Sequence, residues 1–365
     1  MNIYNRALKT VTPYVAGKPI EELARESGLS AKQIIKLASN ENPLGPSPMA
    51  VRAIEKQLAG INRYPDSNYY ELKKKVATKL NLGIESLVFG NGSDELIDCV
   101  IKGFSEPGNE VLSAKSTFLE YEIIAKVNNR KFKAIGLKRL RYDLDSIAKA
   151  ITKKTRLVFI ANPNNPTGTY VTKNEAEKFL KKIPSEVVVV FDEAYNEFVD
   201  TGSFPDTLKY VKNYNVIILR TFSKIYGLAG LRIGFAVTRP EFAEVLNTVR
   251  QPFNVNSLAA AAAQAAIDDY EFVKKTQELI WQEKEFLYKK FIEIGIKFIP
   301  SAANFILIEV APSSEAFFAK MLKLGIIVRG MSAYGLKDYI RLTIGTHDEN
   351  LAFLEGLKTI IKEIK

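Results

Sequence analysis

The chain has 365 residues, of which 47% are hydrophobic, and it carries one cysteine, one histidine and a formal net charge of +10. One cysteine excludes a disulfide framework within the chain and favours a reducing, cytoplasmic setting, and one histidine argues against a His-based metal site. No apolar run approaches the roughly 18 residues of a membrane-spanning helix. The lysines are scattered among acidic residues, which is typical of a solvated surface and not of a nucleic-acid-binding face.

The N-terminal stretch is predicted to be an arm over residues 1–30 that contains one short helix, Ile20–Ser27. The segment 36–48 follows, and its three prolines and one glycine exclude a regular helix. From these residues alone, the segment is either a plain connector or a stretch that crosses the mouth of a substrate site.

A glycine-containing turn precedes the apolar helix predicted at residues 96–104. The turn includes Gly92, Ser93 and Asp94. Glycines before a helix start leave backbone N–H groups free to bind an anion. Ser93 and Asp94 can equally serve as helix caps, and the two roles do not exclude each other.

Strands and helices alternate between residues 109 and 191, which predicts an α/β fold with a mainly parallel sheet covered by helices on both faces. Continuous apolar runs at 157–160, 187–191 and 216–219 are typical of buried strands. Ligands of such sheets bind beyond the carboxyl ends of the strands. The polar residues that follow these three runs are therefore candidate site residues.

The third run leads into a loop of unusual composition at residues 221–235, which contains Ser223, Lys224, three glycines and Arg232. Glycine-rich backbone can approach an anion closely, and Ser223 and Arg232 can hold a phosphate. A lysine whose pKa is lowered by its surroundings can form a Schiff base with a carbonyl compound. The plain alternative is a solvated lysine in a glycine-rich turn.

The residues after the other two runs favour the chemical interpretation. Asp192 lies at the end of one run with Tyr195 three residues later, and Asn165 follows the other run. A carboxylate so placed can pair with the protonated pyridine nitrogen of pyridoxal phosphate and make the ring an electron sink. The phenol of Tyr195 and the amide of Asn165 can form hydrogen bonds with the hydroxyl of the same ring. Three consecutive strand ends thus offer ring-binding groups and a Schiff-base lysine.

With these motifs, the chain resembles the fold-type-I pyridoxal-phosphate aminotransferases, and among them most closely the histidinol-phosphate aminotransferases. The motifs are Asn-Pro-x-Asn-Pro-Thr-Gly at 162–168, Asp-x-Ala-Tyr at 192–195 and Ser-Lys-x-Tyr-Gly-Leu-Ala-Gly-Leu-Arg-x-Gly at 223–234. The resemblance runs from about residue 37 to the C-terminus. It implies a large cofactor-binding domain at 31–255, a smaller α/β domain at 256–365 and an arm at 1–30 that packs with the small domain.

The resemblance also implies pyridoxal 5'-phosphate as the cofactor, with Lys224, Asp192 and Tyr195 as the catalytic residues. Phe118 matches the aromatic position that stacks on the pyridine ring. Tyr64, in an Arg-Tyr-Pro turn, matches a tyrosine that reaches the cofactor phosphate of a neighbouring subunit, which implies a homodimer with shared active sites. The full implied cofactor-binding set is Gly92, Ser93, Asp94, Phe118, Asn165, Asp192, Tyr195, Ser223, Lys224, Arg232 and Tyr64.

The implied substrate site centres on two arginines. Arg341 matches the family's carboxylate anchor, and Arg329 resembles a second cation for a distal carboxylate or a phosphate. Each arginine is predicted to end a short strand of the small domain, where two strands of one small sheet can present both guanidinium groups to one cleft. Tyr14, Asn42 and Tyr64 complete the implied substrate-binding set, and the segment 36–48 would then cross the mouth of the site.

The implied reaction is transamination between L-histidinol phosphate and 2-oxoglutarate, a step of histidine biosynthesis that yields imidazole-acetol phosphate and L-glutamate. Two alternatives share the core motifs. One is an aromatic or broad-range amino acid aminotransferase. The other is a lyase resembling threonine-phosphate decarboxylase, which breaks a C–C bond with the same cofactor.

Overall fold

The computed structural model describes residue 3 and residues 6–364. The helices of this part of the chain are α1 (Ile20–Ser27), α2 (Pro48–Gln57), α3 (Tyr70–Leu80), α4 (Gly92–Phe104), α5 (Glu120–Val127), α6 (Leu144–Ala150), α7 (Lys173–Leu180), α8 (Pro240–Val249), α9 (Ser257–Ala266), α10 (Tyr270–Glu293), α11 (Ser314–Lys323) and α12 (His347–Ile364). The helix predicted in the N-terminal arm is confirmed as α1.

The strands form three sheets. They are β1 (Ile35–Lys36), β2 (Leu87–Gly90), β3 (Glu110–Ala114), β4 (Lys131–Ile135), β5 (Thr155–Ala161), β6 (Val188–Asp192), β7 (Val216–Thr221), β8 (Gly234–Val237), β9 (Phe298–Ile299), β10 (Phe305–Glu309), β11 (Ile326–Ile327), β12 (Arg329–Gly330) and β13 (Tyr339–Thr343).

The largest sheet has the strand order β2-β8-β7-β6-β5-β3-β4. The strands from β7 to β4 all pair in parallel, which confirms the predicted mainly parallel α/β sheet. β8 is antiparallel to both of its neighbours. Neither β2 nor β8 was predicted, because a four-residue run that contains a glycine gives little periodic signal.

The three central strands β5, β6 and β7 are almost wholly buried. Helices cover the sheet on both faces, so both faces of these strands take apolar side chains and their sequences are nearly continuous hydrophobic runs. Ala161 pairs with Asp192, and Asp192 pairs with Leu219. The carboxyl ends of the three strands therefore lie side by side, and the loops that follow them share one edge of the sheet.

A second sheet, with the order β12-β13-β10-β9, is built from the C-terminal part of the chain. In it, Arg329 of β12 pairs directly with Arg341 of β13. The N-terminal segment joins this part of the molecule twice. β1 pairs in parallel with β11, and Leu23 of α1 shares a small buried cluster with Ile34 and Ile327.

Helix α9 carries the alanine-rich stretch, and it packs against α2 and α3. The buried residues Ala259, Ala262, Ala263 and Ala266 form its inner face, and their small side chains let the helix axes approach closely. Because α2 and α3 lie in the predicted large domain, this packing crosses the predicted boundary at residue 256, and the division into domains stays a prediction. In the described part of the chain, no helix has both the length and the apolar character needed to cross a membrane.

Candidate active site

A cavity of about 180 Å³ lies at the carboxyl edge of the largest sheet, and residues of β12 and β13 complete its wall. Loops that start from three neighbouring strand ends supply much of its surface. The predicted site residues that line it are Tyr14, Ser93, Asp94, Phe118, Asn165, Asp192, Tyr195, Ser223, Lys224, Arg232, Arg329 and Arg341. The fold thus brings together side chains that are spread over most of the sequence.

Lys224 lines the cavity from the loop after β7. Its Nζ donates a hydrogen bond to the backbone carbonyl of Ser39 at 3.2 Å and lies 5.7 Å from the centroid of the Tyr195 ring. Burial, followed by the nearby positive charge of Arg341, lowers the pKa of Lys224 to about 8. A much larger fraction of this amine is therefore neutral at a given pH than in an ordinary lysine, and covalent chemistry with a carbonyl group requires the neutral amine.

Asp192, the last residue of β6, is buried at the edge of the cavity. Its Oδ2 accepts a hydrogen bond from the phenol of Tyr121 at 2.6 Å, and its Oδ1 accepts one from the backbone N–H of Ala194 at 3.2 Å. Burial raises the pKa of Asp192 to about 6, while these two hydrogen bonds act in the opposite direction. A buried carboxylate of this kind fits a cationic partner in the cavity.

Tyr195 follows Asp192 and is also buried. Its hydroxyl oxygen accepts a hydrogen bond from Nδ2 of Asn40 at 2.9 Å, and its ring packs edge-on against Phe305 at 5.0 Å. Burial raises the pKa of Tyr195 to about 12, so the phenol keeps its proton at neutral pH. Because the oxygen already accepts from Asn40, the phenol's own hydrogen can point toward a ligand in the cavity.

Arg341 connects the two sheets across the cavity. It donates from Nη1 to Oδ1 of Asn165 at 2.5 Å and from Nη2 to the carbonyl of Ala38 at 2.6 Å. Its Nε is buried and has no hydrogen-bond partner among the described residues. An unpaired buried N–H on a charged group is costly. The Nε–H of Arg341 is therefore suited to donate a hydrogen bond to an oxygen atom of a ligand.

The N-terminus of α4 lies at one end of the cavity, where Ser93 and Asp94 line it. The side chain of Asn91 does not cap the helix, which leaves the first backbone N–H groups to a ligand. Arg232 lies beside this helix start and donates from Nη2 to Asp94 at 3.0 Å. Gly92 has a φ of +79°, and a Cβ there would lie 2.5 Å from Nη2 of Arg232. The positive φ is what favours glycine at this position, since the guanidinium is the far end of a flexible side chain and can shift.

Arg329 faces the cavity from the second sheet. It pairs in register with Arg341, so the two arginines lie on strands of one small sheet, as predicted. Arg329 donates from Nη2 to the backbone carbonyl of Val15, and its guanidinium lies 5.6 Å from the centroid of the Tyr14 ring. The N-terminal arm therefore covers this side of the cavity.

Asn42 does not line the cavity, and its predicted role in the substrate site stays a prediction. Its Nδ2 donates to the carbonyl of Ile225 at 2.9 Å and to the hydroxyl of Thr276 at 3.3 Å, and its Oδ1 accepts from the N–H of Leu44 at 3.0 Å. The amide is thus occupied on both sides by the protein itself. Asn42 holds the 36–48 segment against the loop that carries Lys224.

Tyr64 also lies away from the cavity of its own chain. Its side chain is 83% exposed, and its ring stacks on Phe253 at 4.7 Å. Two aromatic rings are therefore exposed together here. The predicted contribution of Tyr64 to a neighbouring subunit stays a prediction.

Comparison with known proteins places the chain in a family. The aminotransferase class I and II family matches residues 32–357. The chain belongs to this family. It is 46% identical over 357 residues to a histidinol-phosphate aminotransferase of Moorella thermoacetica, covering 97% of this chain and 92% of that protein. It is 44% identical over 360 residues to one of Caldicellulosiruptor saccharolyticus, covering 98% and 100%.

Solved structures of aminotransferases have the same fold. A histidinol-phosphate aminotransferase of Sinorhizobium meliloti, crystallised in complex with pyridoxal-5'-phosphate, matches with a TM-score of 0.92 at 25% identity, covering 100% of this chain and 99% of that one. A histidinol-phosphate aminotransferase of Clostridium acetobutylicum matches with a TM-score of 0.84 at 28% identity, covering 90% of this chain and 100% of that one.

Sequence reasoning missed two side chains that contact the predicted residues of this aminotransferase. Tyr121 bonds Asp192, and Asn40 bonds Tyr195. Both line the cavity. Asn40 had one available signal, since it belongs to a polar run before three prolines, but Tyr121 lies in an ordinary amphipathic helix and gives no local signal.

Proposed function

We propose that this chain is a histidinol-phosphate aminotransferase that uses pyridoxal 5'-phosphate to exchange an amino group between L-histidinol phosphate and 2-oxoglutarate, a step of histidine biosynthesis. The observation that carries the proposal is a single cavity that combines Lys224 and Asp192 with the paired Arg329 and Arg341. Relatives that bear this name align with nearly the whole chain. They do not favour the aromatic aminotransferase or the lyase.

The anion end of the cavity fits the phosphate of the cofactor. The N-terminus of α4, Ser93, Ser223 and Arg232 supply backbone N–H groups, hydroxyls and a guanidinium, which is a suitable donor set for a phosphate dianion. Gly234 packs closely behind these donors, because a Cβ there would lie 2.9 Å from the carbonyl oxygen of Arg220 and 3.1 Å from the backbone nitrogen of Ser93. These residues would hold the phosphate end.

The remainder of the cavity fits the pyridine ring. Asp192 would pair with the ring nitrogen, Asn165 and Tyr195 would bond the ring hydroxyl, and Phe118 would contact the ring face. When bound, the cofactor supplies an electron sink that stabilises negative charge at the substrate Cα. Lys224 would hold the cofactor covalently through its Nζ.

Lys224 also provides the base. Once a substrate amine takes its place, its Nζ is free to move a proton from the substrate Cα. A pKa of about 8 leaves about half of this amine neutral at pH 8. The hydrogen bond to the Ser39 carbonyl orients Nζ within the cavity.

The two arginines would select substrates that carry two anionic charges or a phosphate. Arg341 would bind the α-carboxylate of glutamate, consistent with its partnerless Nε, and Arg329 would bind the distal carboxylate. The phosphate of histidinol phosphate would occupy the same cationic region, where Tyr14 stands beside Arg329. A charge-assisted hydrogen bond is worth about 1.5–3 kcal/mol, enough to separate such substrates from neutral ones.

A homodimer would complete the site. Tyr64 and Phe253 form an exposed aromatic pair, which is a typical component of an interface. In a dimer, Tyr64 would reach the cofactor phosphate of the partner subunit. We place the enzyme in the cytoplasm, because its only cysteine is free and buried and a biosynthetic aminotransferase draws on metabolites of that compartment.

The assignment is tested with purified protein loaded with pyridoxal phosphate. It is assayed with histidinol phosphate plus 2-oxoglutarate, with phenylalanine plus 2-oxoglutarate, and with threonine phosphate alone, and Lys224→Ala serves as the inactive control. We expect the highest kcat/KM with histidinol phosphate. A higher kcat/KM with phenylalanine would assign the chain to the aromatic aminotransferases, and release of CO2 from threonine phosphate would assign it to the lyases.

A further inference from the structure

Tyr121 on α5 occupies an unusual position, because it has no solvent exposure and yet its side chain lines the cavity. Its phenol donates to Oδ2 of Asp192 at 2.6 Å. Its ring meets Phe118 edge-on at 5.6 Å and stacks on Phe159 at 4.8 Å. One side chain therefore contacts two of the groups proposed to hold the cofactor ring, Asp192 and Phe118.

We propose that Tyr121 is a positioning residue, whose phenol keeps Asp192 ionised and in the orientation that receives the protonated ring nitrogen of the cofactor. The inference rests on the proposed function, because it concerns the same cofactor site. It adds a role for a residue that contacts Asp192 directly and acts on the cofactor through it.

The geometry fixes the direction of the hydrogen bond. Burial and the charge of Asp192 raise the pKa of Tyr121 well above its usual range, so the phenol remains a donor at all working pH values. Burial alone would favour the neutral form of Asp192, and it raises the pKa of this carboxyl to about 6. Among the influences that oppose burial, the Tyr121 hydrogen bond is the largest, and the backbone N–H of Ala194 is the next.

Asp192 has no ion-pair partner among the described residues, so the hydrogen bonds from Tyr121 and from the backbone N–H of Ala194 are what favour its ionised form. The carboxylates near it, Asp94 on α4 and the adjacent Glu193, act to raise its pKa. The titratable and charged groups that surround Asp192 are Tyr121, Asp94, Glu193, Tyr195, Tyr142, Lys224, Arg232 and Arg341.

The test compares Tyr121→Phe with a matched control, Tyr142→Phe. The hydroxyl of Tyr142 is also buried and bonds Thr117 at 2.8 Å and Ser113 at 3.2 Å, but it does not touch Asp192. Both variants keep the aromatic ring and lose one buried hydroxyl. Thermal unfolding of each variant shows whether the fold is retained.

The first readout is the titration of the Asp192 carboxyl in the apoprotein, which is monitored by ¹³C NMR. The Asp192→Asn variant identifies the Asp192 signal. We expect Tyr121→Phe to raise the midpoint by about one pH unit or more, a tenfold change in the acid dissociation constant, and Tyr142→Phe to leave it near the wild-type value. An unchanged midpoint in Tyr121→Phe would overturn the proposal. Should Tyr121→Phe fail to fold, 3-fluorotyrosine at position 121 keeps the ring and provides a stronger donor, which should lower the midpoint.

The second readout is the dissociation constant of pyridoxal phosphate from the apoprotein as a function of pH. In Tyr121→Phe, the pH below which affinity falls should move upward with the Asp192 midpoint, since the carboxyl must be ionised to pair with the ring nitrogen. A loss of affinity that is equal at every pH would indicate a merely structural role and overturn the proposal. Wild-type protein that binds no pyridoxal phosphate would overturn the proposed function as well, whereas normal wild-type binding with an unshifted profile in Tyr121→Phe overturns the positioning role alone.

Discussion

Two ionisable side chains of the cavity have pKa values displaced toward each other. Removal from water disfavours both charged forms, so it lowers the pKa of Lys224 to about 8 and raises that of Asp192 to about 6. The first shift prepares a nucleophilic amine. The raised pKa of Asp192 is offset once a cationic ring nitrogen binds beside the carboxylate. The binding energy of the ring therefore depends on the charge of its nitrogen.

The lowered pKa of Lys224 predicts the pH at which apoprotein attaches pyridoxal phosphate covalently. Because the pKa falls from 10.5 to about 8, the neutral amine should increase about tenfold per pH unit below pH 8 and level off above it. Stopped-flow absorbance should show the same profile for the rate constant of attachment. Arg341→Leu removes a charge that lowers this pKa, so it should move the midpoint upward. A wild-type midpoint near 10.5 would contradict the account.

Asp192→Asn should lower transamination far more than folding stability. An amide cannot pair with a protonated ring nitrogen, and breaking a buried ion pair costs about 3–5 kcal/mol, roughly a hundredfold or more in kcat/KM. The cofactor supplies one member of this pair, so the apoprotein loses little. Kinetics and urea unfolding of the apoprotein measure the two effects, and full activity of the variant would remove Asp192 from the mechanism.

The adjacent carboxylate provides the contrasting control. Glu193 is buried, does not line the cavity, and accepts two hydrogen bonds from Arg220 at 3.0 and 2.8 Å. Glu193→Gln leaves the guanidinium of Arg220 without its carboxylate. Its main effect should therefore be a lower free energy of unfolding.

At the scale of single residues, the sequence predicts a site role for residues that follow strong local patterns. Lys224, Asp192 and Asn165 could be predicted because each comes after a buried apolar run. Tyr121 and Asn40 could not, because their partners Asp192 and Tyr195 are 71 and 155 positions away. Asn42 was assigned to the site through the resemblance, and the structure gives its amide partners within the protein, Ile225 and Leu44.

At the scale of elements, the site depends on strand ends. The parallel register of β5, β6 and β7 brings their following loops to one edge, and this was predictable from strand–helix alternation. The antiparallel β8 and the two-residue strand β1 were not, because such short strands are set by tertiary contacts and not by a sequence period. The β1–β11 pair nevertheless ties the N-terminal segment to the C-terminal part.

The pairing of β12 with β13 predicts how substrate specificity divides between the two arginines. Arg329→Leu should weaken histidinol phosphate and glutamate by about ten- to hundredfold in kcat/KM, since a charge-assisted hydrogen bond is worth about 1.5–3 kcal/mol. Phenylalanine, which has no second anionic group, should be spared. The matched variant Arg341→Leu should weaken glutamate and phenylalanine alike, because both carry an α-carboxylate. Equal loss of all three substrates in Arg329→Leu would make Arg329 a structural residue.

At the scale of the whole molecule, the positive net charge of +10 favours the approach of anionic substrates. The arm covers one side of the cavity through Tyr14 and Val15, so the site draws on both ends of the chain. Tyr64 and Phe253 form an exposed pair away from the cavity, and the proposal that Tyr64 serves the site of a second subunit concerns this part of the surface.

Mixed dimers test this sharing. Tyr64→Phe and Lys224→Ala subunits are each prepared as homodimers and then mixed and allowed to exchange. If Tyr64 serves the partner's site, one site of a mixed dimer carries both defects and the other carries neither, so activity should rise toward one wild-type site per mixed dimer. If each site is built from one chain, the mixture should show no activity beyond that of the Tyr64→Phe subunits.

The most direct test of the central claim is the identity of the residue that binds the cofactor. The holoenzyme is reduced with borohydride, digested and mapped by mass spectrometry, with Lys224→Ala treated in parallel. The account predicts a pyridoxyl label on Lys224 in the wild type and no label in the variant, together with loss of turnover. A label on any other lysine, or turnover retained in Lys224→Ala, would contradict it.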